Sequence, residues 1–197
     1  MKGNQHRLFI ALPLSDGVRN NLQKVQEELG ESLSGFRWLR PEGMHLTLRF
    51  IGEVGLEDVS DVCRLAEEAV EEVEPFGFEL RGLGAFPAPQ RPKVLWVGVS
   101  GEVDPLHTMA VRLEEAVRQL GLRPEPKPFR PHITIARAAT GRSPGSGRGA
   151  QASVETLVEQ WQRRQHGKVF VREVVTYRSN LRGDGPQYER LATAHLG

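Results

Sequence analysis

The sequence predicts an α+β fold of two similar lobes, with antiparallel sheets facing a central cleft and helices outside, and three observations carry that prediction. Segments with strand alternation take turns with segments of helical spacing through both halves of the chain. Two of the strands, Met44-His45-Leu46-Thr47-Leu48 and Pro131-His132-Ile133-Thr134-Ile135, carry one polar signature, His-x-Thr, between branched apolar residues. The two histidines stand 87 residues apart, and the same offset lays Leu8-Phe9-Ile10-Ala11-Leu12 over Leu95-Trp96-Val97-Gly98-Val99 and Glu27-Glu28 over Glu114-Glu115. A repeat that covers strand, helix and signature strand predicts a single bilobal domain over residues 1–197, with approximate half-repeats 7–83 and 93–179 and a C-terminal strand, 186–195, completing the fold.

Taken in order, Arg7 to Leu12 reads as a strand ended by Pro13, and Ser15 or Asp16 can cap a helix whose Val18, Leu22, Val25 and Leu29 share a face up to a stop at Gly30. Phe36 to Leu39 leads through Pro41 and Gly43 to the first signature strand, in which His45, Thr47 and Arg49 alternate with Leu46, Leu48 and Phe50. A helix follows over Leu56 to Val73, with apolar residues at helical intervals and an acidic, solvated opposite face. Phe76 to Gly82 reads as a strand, Phe86 to Pro92 as a Pro-rich connection and Lys93 to Ser100 as the strand that opens the second half.

Asp104 and Pro105 start a helix that runs to Gly121, and the Pro-spaced Pro124 to Pro131 delivers the second signature strand. Thr140 to Ala150, rich in Gly, Ser and Arg, is expected to be a mobile loop. A helix over Val154 to Gln165, one long strand over Lys168 to Ser179, a Gly-Asp-Gly-Pro turn and a last strand around Tyr188 to Ala194 close the chain.

The 197 residues, 39% of them hydrophobic, suffice for a folded interior. With 26 basic and 25 acidic residues the formal net charge is only +1, so bulk charge gives no general attraction for long nucleic acid and any anion recognition has to be local. Most of the basic residues are Arg, whose planar fork suits phosphate. The single cysteine, Cys63, cannot make an internal disulfide and falls in an apolar-periodic helix, where it reads as a small filler. No run resembles a signal peptide or approaches the roughly 20 apolar residues of a membrane span, so a cytoplasmic protein away from membranes is expected.

On a strand, residues two apart share a face, so each His stands beside its Thr while the apolar residues enter the core. If a pseudo-twofold brings the lobes together, both His-Thr faces line one cleft. Imidazoles there can divide acid and base work around neutrality without a metal, one taking a proton from an attacking oxygen and the other giving one to a leaving oxygen. Thr47 and Thr134 add hydroxyl donors for the charge that builds on the non-bridging oxygens, and Arg130 and Arg137 bracket the second signature as candidate clamps. Strict alternation sends Arg137 to the face opposite His132, so it reaches the site only if the strand ends or bulges first. His6, His107, His166 and His195 have no matching frame and read as surface or capping residues.

His45-Leu46-Thr47-Leu48-Arg49-Phe50-Ile51-Gly52 and Arg130-Pro131-His132-Ile133-Thr134-Ile135-Ala136-Arg137 resemble the paired HxTx motifs of the 2H phosphoesterase superfamily, and within it the chain is most similar to the RNA 2′,3′-cyclic phosphodiesterases, also called 2′-5′ RNA ligases of the LigT type. The resemblance covers nearly the full length. It implies metal-independent hydrolysis of a terminal 2′,3′-cyclic phosphate on RNA to a 2′-phosphomonoester without any cofactor, with His45 as proton donor to the leaving 3′-oxygen and His132 as proton acceptor from water. Thr47, Thr134 and Arg137 would hold the phosphate. The expected partners are RNA ends or nucleotides bearing the cyclic phosphate, met by a monomer. Joining of RNA through a 2′-5′ linkage, the same displacement reversed, and a non-catalytic module for RNA ends are the alternatives.

Overall fold

The chain forms its first strand, β1 (His6–Leu12), where apolar residues lead up to Pro13, and Ser15 then accepts the Val18 N–H at 3.4 Å to start α1 (Asp16–Ser32). This helix runs past Gly30, the expected stop, because Gly30 does not take the positive φ of a helix-ending glycine, and the helix is capped at Leu33 instead. After β2 (Phe36–Trp38) and a 3₁₀ turn at Pro41–Gly43 come β3 (Leu46–Val54), α2 (Val59–Val70), β4 (Phe76–Phe86), β5 (Val94–Gly101), α3 (Asp104–Gln119) and β6 (His132–Ala138). Then follow α4 (Val154–Trp161), capped by Ser153, β7 (Gln165–Val171), β8 (Glu173–Arg182) and β9 (Gly185–His195). The computed structural model describes residues 5–139, 152–182 and 185–197, so the expected loop at Thr140 to Ala150 and the Gly183-Asp184 turn lie outside the described residues.

Among the described residues the strands make one antiparallel sheet in the order β7-β4-β5-β6-β3-β1-β8-β9, with β2 pairing β6 beside β3. It divides into two wings, β7-β4-β5-β6 and β3-β1-β8-β9, because β6 and β3 share a single ladder pair, Leu46 with Ile133. The long strand expected over Lys168 to Ser179 is two: β7 pairs with β4 at the far edge of one wing, while β8 pairs with β1 in the other. A period-two pattern is indifferent to which sheet a strand joins, so it runs on through the break at Arg172. The preceding helix likewise stops at Trp161 and yields Gln165 to β7.

The helices cross between the halves. α1, from the first half, packs against β6 and β7, whereas α3, from the second, packs against β3 and α2. Their apolar stripes (Val18, Leu22, Val25 and Leu29; Leu106, Met109, Leu113 and Val117) meet the inward residues of the sheet in one continuous core. A second, smaller cluster, Phe9, Ala11, Val175 and Tyr177 with Tyr188 against it, forms on the other face of the β3-β1-β8-β9 wing. The repeat is imperfect in register: Ala11 faces Thr47 in the first wing, yet its counterpart Gly98 faces His132 in the second, a slip of two residues that leaves every side chain on its own face.

Candidate active site

The bridge that joins the wings is also the centre of the site. Leu46 and Ile133, fully buried, point to the core, so the residues on either side of each point the other way. Continuing the antiparallel register one residue in each direction sets His45 opposite Thr134 and Thr47 opposite His132. The four side chains of the two signatures therefore form one square on the face away from the helices. In a regular antiparallel pair directly opposed Cβ atoms lie about 5 Å apart and diagonal neighbours about 7–8 Å, so both imidazoles of such a square can reach one small group.

Each imidazole is aimed by the carbonyl two residues before it. His132 donates Nδ1–H to the Arg130 carbonyl at 2.6 Å, which leaves Nε2 for the cleft. His45 makes the equivalent hydrogen bond to the Gly43 backbone, at the end of the 3₁₀ turn. Aromatic rings wall both. The Phe9 ring stacks on His45 with centroids 4.7 Å apart and Tyr188 meets its edge at 5.1 Å. On the other side Phe86 meets the edge of His132 at 4.9 Å and Trp96 lies at 5.9 Å. Phe9 and Trp96 occupy equivalent positions of the repeat. Trp96 lies flat over Gly84, where any side chain would collide with its ring.

Burial pushes the His45 imidazole down to about 4, and the positive charges of Arg137 and His132 add to that depression against the raising effect of the Gly43 hydrogen bond. His132 is lowered as well, first by burial and then by Arg137, with the Arg130 carbonyl opposing. The same guanidinium bears on the Tyr188 phenol. Arg137 thus faces both histidines, and the cause is a bulge: Leu95 pairs with Ala136 and Trp96 with Thr134, so Ile135 has no partner on β5. Ile135 and Ala136 both turn inward, and Arg137 emerges on the face of His132 and Thr134.

An identical event in β3 overturns one expectation. Ile10 pairs with Arg49 and Ala11 with Thr47, leaving Leu48 as the extra residue. Arg49, expected beside His45 and Thr47, is therefore buried at 5% exposure, with Nε 2.8 Å from the Glu114 carboxylate on α3, a second nitrogen 2.6 Å from the Arg123 carbonyl and a further hydrogen bond to the Phe50 carbonyl. Phe50, expected in the core, stands on the site face at 49% exposure, the positional counterpart of Arg137. Composition reasoning missed Phe50, Phe9, Trp96 and Tyr188, although the repeat offset already aligns Phe9 with Trp96 and Phe50 with Arg137.

Arg130 brings its carbonyl to the site, while its side chain is exposed. Among the unmatched histidines, His166 is not a surface residue: it is buried in β7 with its ring 5.7 Å from Trp161. Burial raises the Cys63 thiol, which suits a filler. Among the described residues no group of three or more His, Cys, Asp or Glu is placed to hold a metal ion, and no helix is long and apolar enough to cross a membrane.

A two-winged antiparallel sheet whose central bridge sets two His-x-Thr strands side by side defines a two-histidine phosphoesterase fold. The family model described as LigT like Phosphoesterase matches the chain twice, over residues 12–96 and 97–188, and the chain belongs to that family, within the 2H superfamily. It is 33% identical over 187 residues to an RNA 2′,3′-cyclic phosphodiesterase of Archaeoglobus fulgidus, covering 94% of this chain and 97% of the relative. To the protein of that name from Aeropyrum pernix it is 34% identical, covering 86% and 92%. Among solved structures, a Thermus thermophilus protein superposes with a TM-score of 0.76 at 28% identity, covering 96% of this chain and 97% of that one. Escherichia coli LigT complexed with 3′-AMP has the same fold, with a TM-score of 0.75 at 23% identity over 98% and 99% of the two chains.

Proposed function

We propose that the protein hydrolyses a terminal 2′,3′-cyclic phosphate on RNA to a 2′-phosphomonoester, with both proton transfers made by its own histidines. The observation that carries this reading is the Leu46–Ile133 bridge, whose antiparallel register, continued one residue each way, brings His45, Thr134, Thr47 and His132 together as a square. A phosphate at its centre meets an imidazole on each of two opposite corners, the arrangement an in-line displacement needs. The names of relatives that match along most of their length support the substrate.

In this reading His132 takes a proton from water through Nε2, the nitrogen its Arg130 hydrogen bond leaves unprotonated, and His45 protonates the departing 3′-oxygen. Thr47 and Thr134 donate to the non-bridging oxygens, and Arg137 supplies the positive charge. Burial first, and then that charge, lowers both imidazoles; a phosphodiester anion beside Arg137 offsets the charge and helps His45 carry the proton it must give. Phe50 offers an exposed ring for the terminal base to stack on. Acid, base and anion clamp all being side chains, no metal or cofactor enters the scheme. The setting we propose is a cytoplasmic monomer acting on RNA ends, and gel filtration tests the monomer.

The test is ³¹P NMR of a nucleoside 2′,3′-cyclic phosphate incubated with the wild type, His45→Ala and His132→Ala, each with and without EDTA. Expected are a 2′-phosphomonoester from the wild type, unaffected by EDTA, and losses of about 10²- to 10⁴-fold in each variant. Full activity in either variant would remove that histidine from the mechanism, and bound but unchanged cyclic phosphate in the wild type would make the protein a recognition module.

A further inference from the structure

Behind the sheet, on the side the cleft does not see, one buried polar side chain touches both signature strands' supports. Gln26 on α1 is 7% exposed among the apolar residues of that helix, and its Nε2 donates to the Ile135 carbonyl at 2.8 Å and to the Leu39 carbonyl at 2.9 Å. Ile135 is the residue that bulges out of register with β5. Leu39 ends the segment after β2, donates its own N–H to the same Ile135 carbonyl at 2.9 Å, and leads through the 3₁₀ turn whose Gly43 aims His45.

A bulge survives only where its freed backbone groups find partners, since a buried carbonyl without one costs about 1–3 kcal/mol. Here two donors meet the Ile135 carbonyl, the Leu39 N–H and the Gln26 amide, and because the same amide also holds the Leu39 carbonyl, a helix of the first half clamps the bulged strand of the second to the segment beside it. Without the bulge, alternation from His132 carries Arg137 to the helix side, where its charge cannot reach a phosphate.

We propose that Gln26 is a positioning residue for Arg137: its amide locks the extra residue at Ile135 and so keeps the guanidinium on the same face as His132 and Thr134. This rests on the reading of Arg137 as the phosphate-binding side chain, and the experiment separates the two claims. Hydrolysis of a 2′,3′-cyclic nucleotide is measured for the wild type, Gln26→Met, Arg137→Ala and the double variant, with folding followed by circular dichroism. Met fills the space of Gln with no donor. Hydrogen bonds to a charged group are worth enough that Arg137→Ala is expected to cost about 10- to 100-fold in kcat/KM in the wild-type background.

In the Gln26→Met background the same substitution is expected to cost less than about 3-fold, because the guanidinium is already displaced and the two changes are not independent. The Gln26→Met loss is expected mainly in KM, with orthophosphate inhibition weakened in parallel. Gln26→Asn, whose amide stops one methylene short of the two carbonyls, is read in the same cycle and serves alone if Gln26→Met does not fold. Equal costs of Arg137→Ala in the wild-type and Gln26-variant backgrounds overturn the positioning role while leaving Arg137 in place. No cost in the wild-type background overturns the phosphate role itself.

Discussion

Acidification is expected to weaken this fold through His45, and the amount follows from the site. The ring is stacked on Phe9 at 4.7 Å and met edge-on by Tyr188, and it accepts a proton only near about 4, burial being the main cause and the charges of Arg137 and His132 the next. In the unfolded chain the imidazole returns to the ordinary 6.5. Between those values the unfolded state holds more protons than the folded one, so stability is intact above pH 6.5, falls as the pH drops through the window, and stops falling below about 4. From about pH 7.5 to about pH 4.5 the loss integrates to about 2.5 kcal/mol. Urea unfolding of the wild type and His45→Asn at both pH values measures it. The substitution removes packing at every pH equally, whereas other titrating groups are common to both proteins, so the difference between the two pH dependences isolates His45. Parallel dependences within about 0.5 kcal/mol would refute the account of a desolvated, charge-crowded imidazole.

Arg137→Ala removes a charge that lowers both histidines, so the alkaline limb of the kcat/KM profile against pH is expected to move to higher pH while the rate falls; a limb that stays put argues that Arg137 does not face them. Phe50→Ala is expected to cost about 10-fold in kcat/KM, mostly through KM, because a base stacked on an aromatic ring is worth about 1–3 kcal/mol; an unchanged KM places the base elsewhere. Arg49→Met leaves Glu114 facing a gap and is expected to lower stability by about 2–4 kcal/mol in urea unfolding, below the full cost of breaking a buried pair because Glu114 keeps 22% of its side chain exposed.

The site was legible in the sequence to the extent that it obeys two simple periods. The offset of 87 residues brought out both signatures, and alternation put His45 with Thr47 and His132 with Thr134 on polar faces that the structure joins into one. What alternation hid are events one residue long. The bulge at Leu48 exchanges Arg49 and Phe50 between core and cleft, and the break at Arg172 divides one apparent strand between two wings. The crossing of α1 and α3 was hidden for another reason: an apolar stripe says that a helix packs, not on which sheet.

The bulges themselves have an arithmetic that the sequence carries. A side chain five positions after a site histidine lies, by the period of two, on the wrong face. Both halves nevertheless place at that offset the residue that faces the cleft, Arg137 after His132 and Phe50 after His45. An odd offset between side chains that must act on one ligand is therefore a statement about the backbone: one extra residue has to sit between them. In each half it does, at Ile135 and at Leu48, and in each half a buried polar side chain lies behind it, Gln26 against the first and Arg49 beside the second. In the function we propose, the two chemistries differ because the halves do different jobs on that face, a cation for the phosphate in one and a ring for a base in the other. The shared bulge supplies the geometry, and the residue five places on decides what it presents.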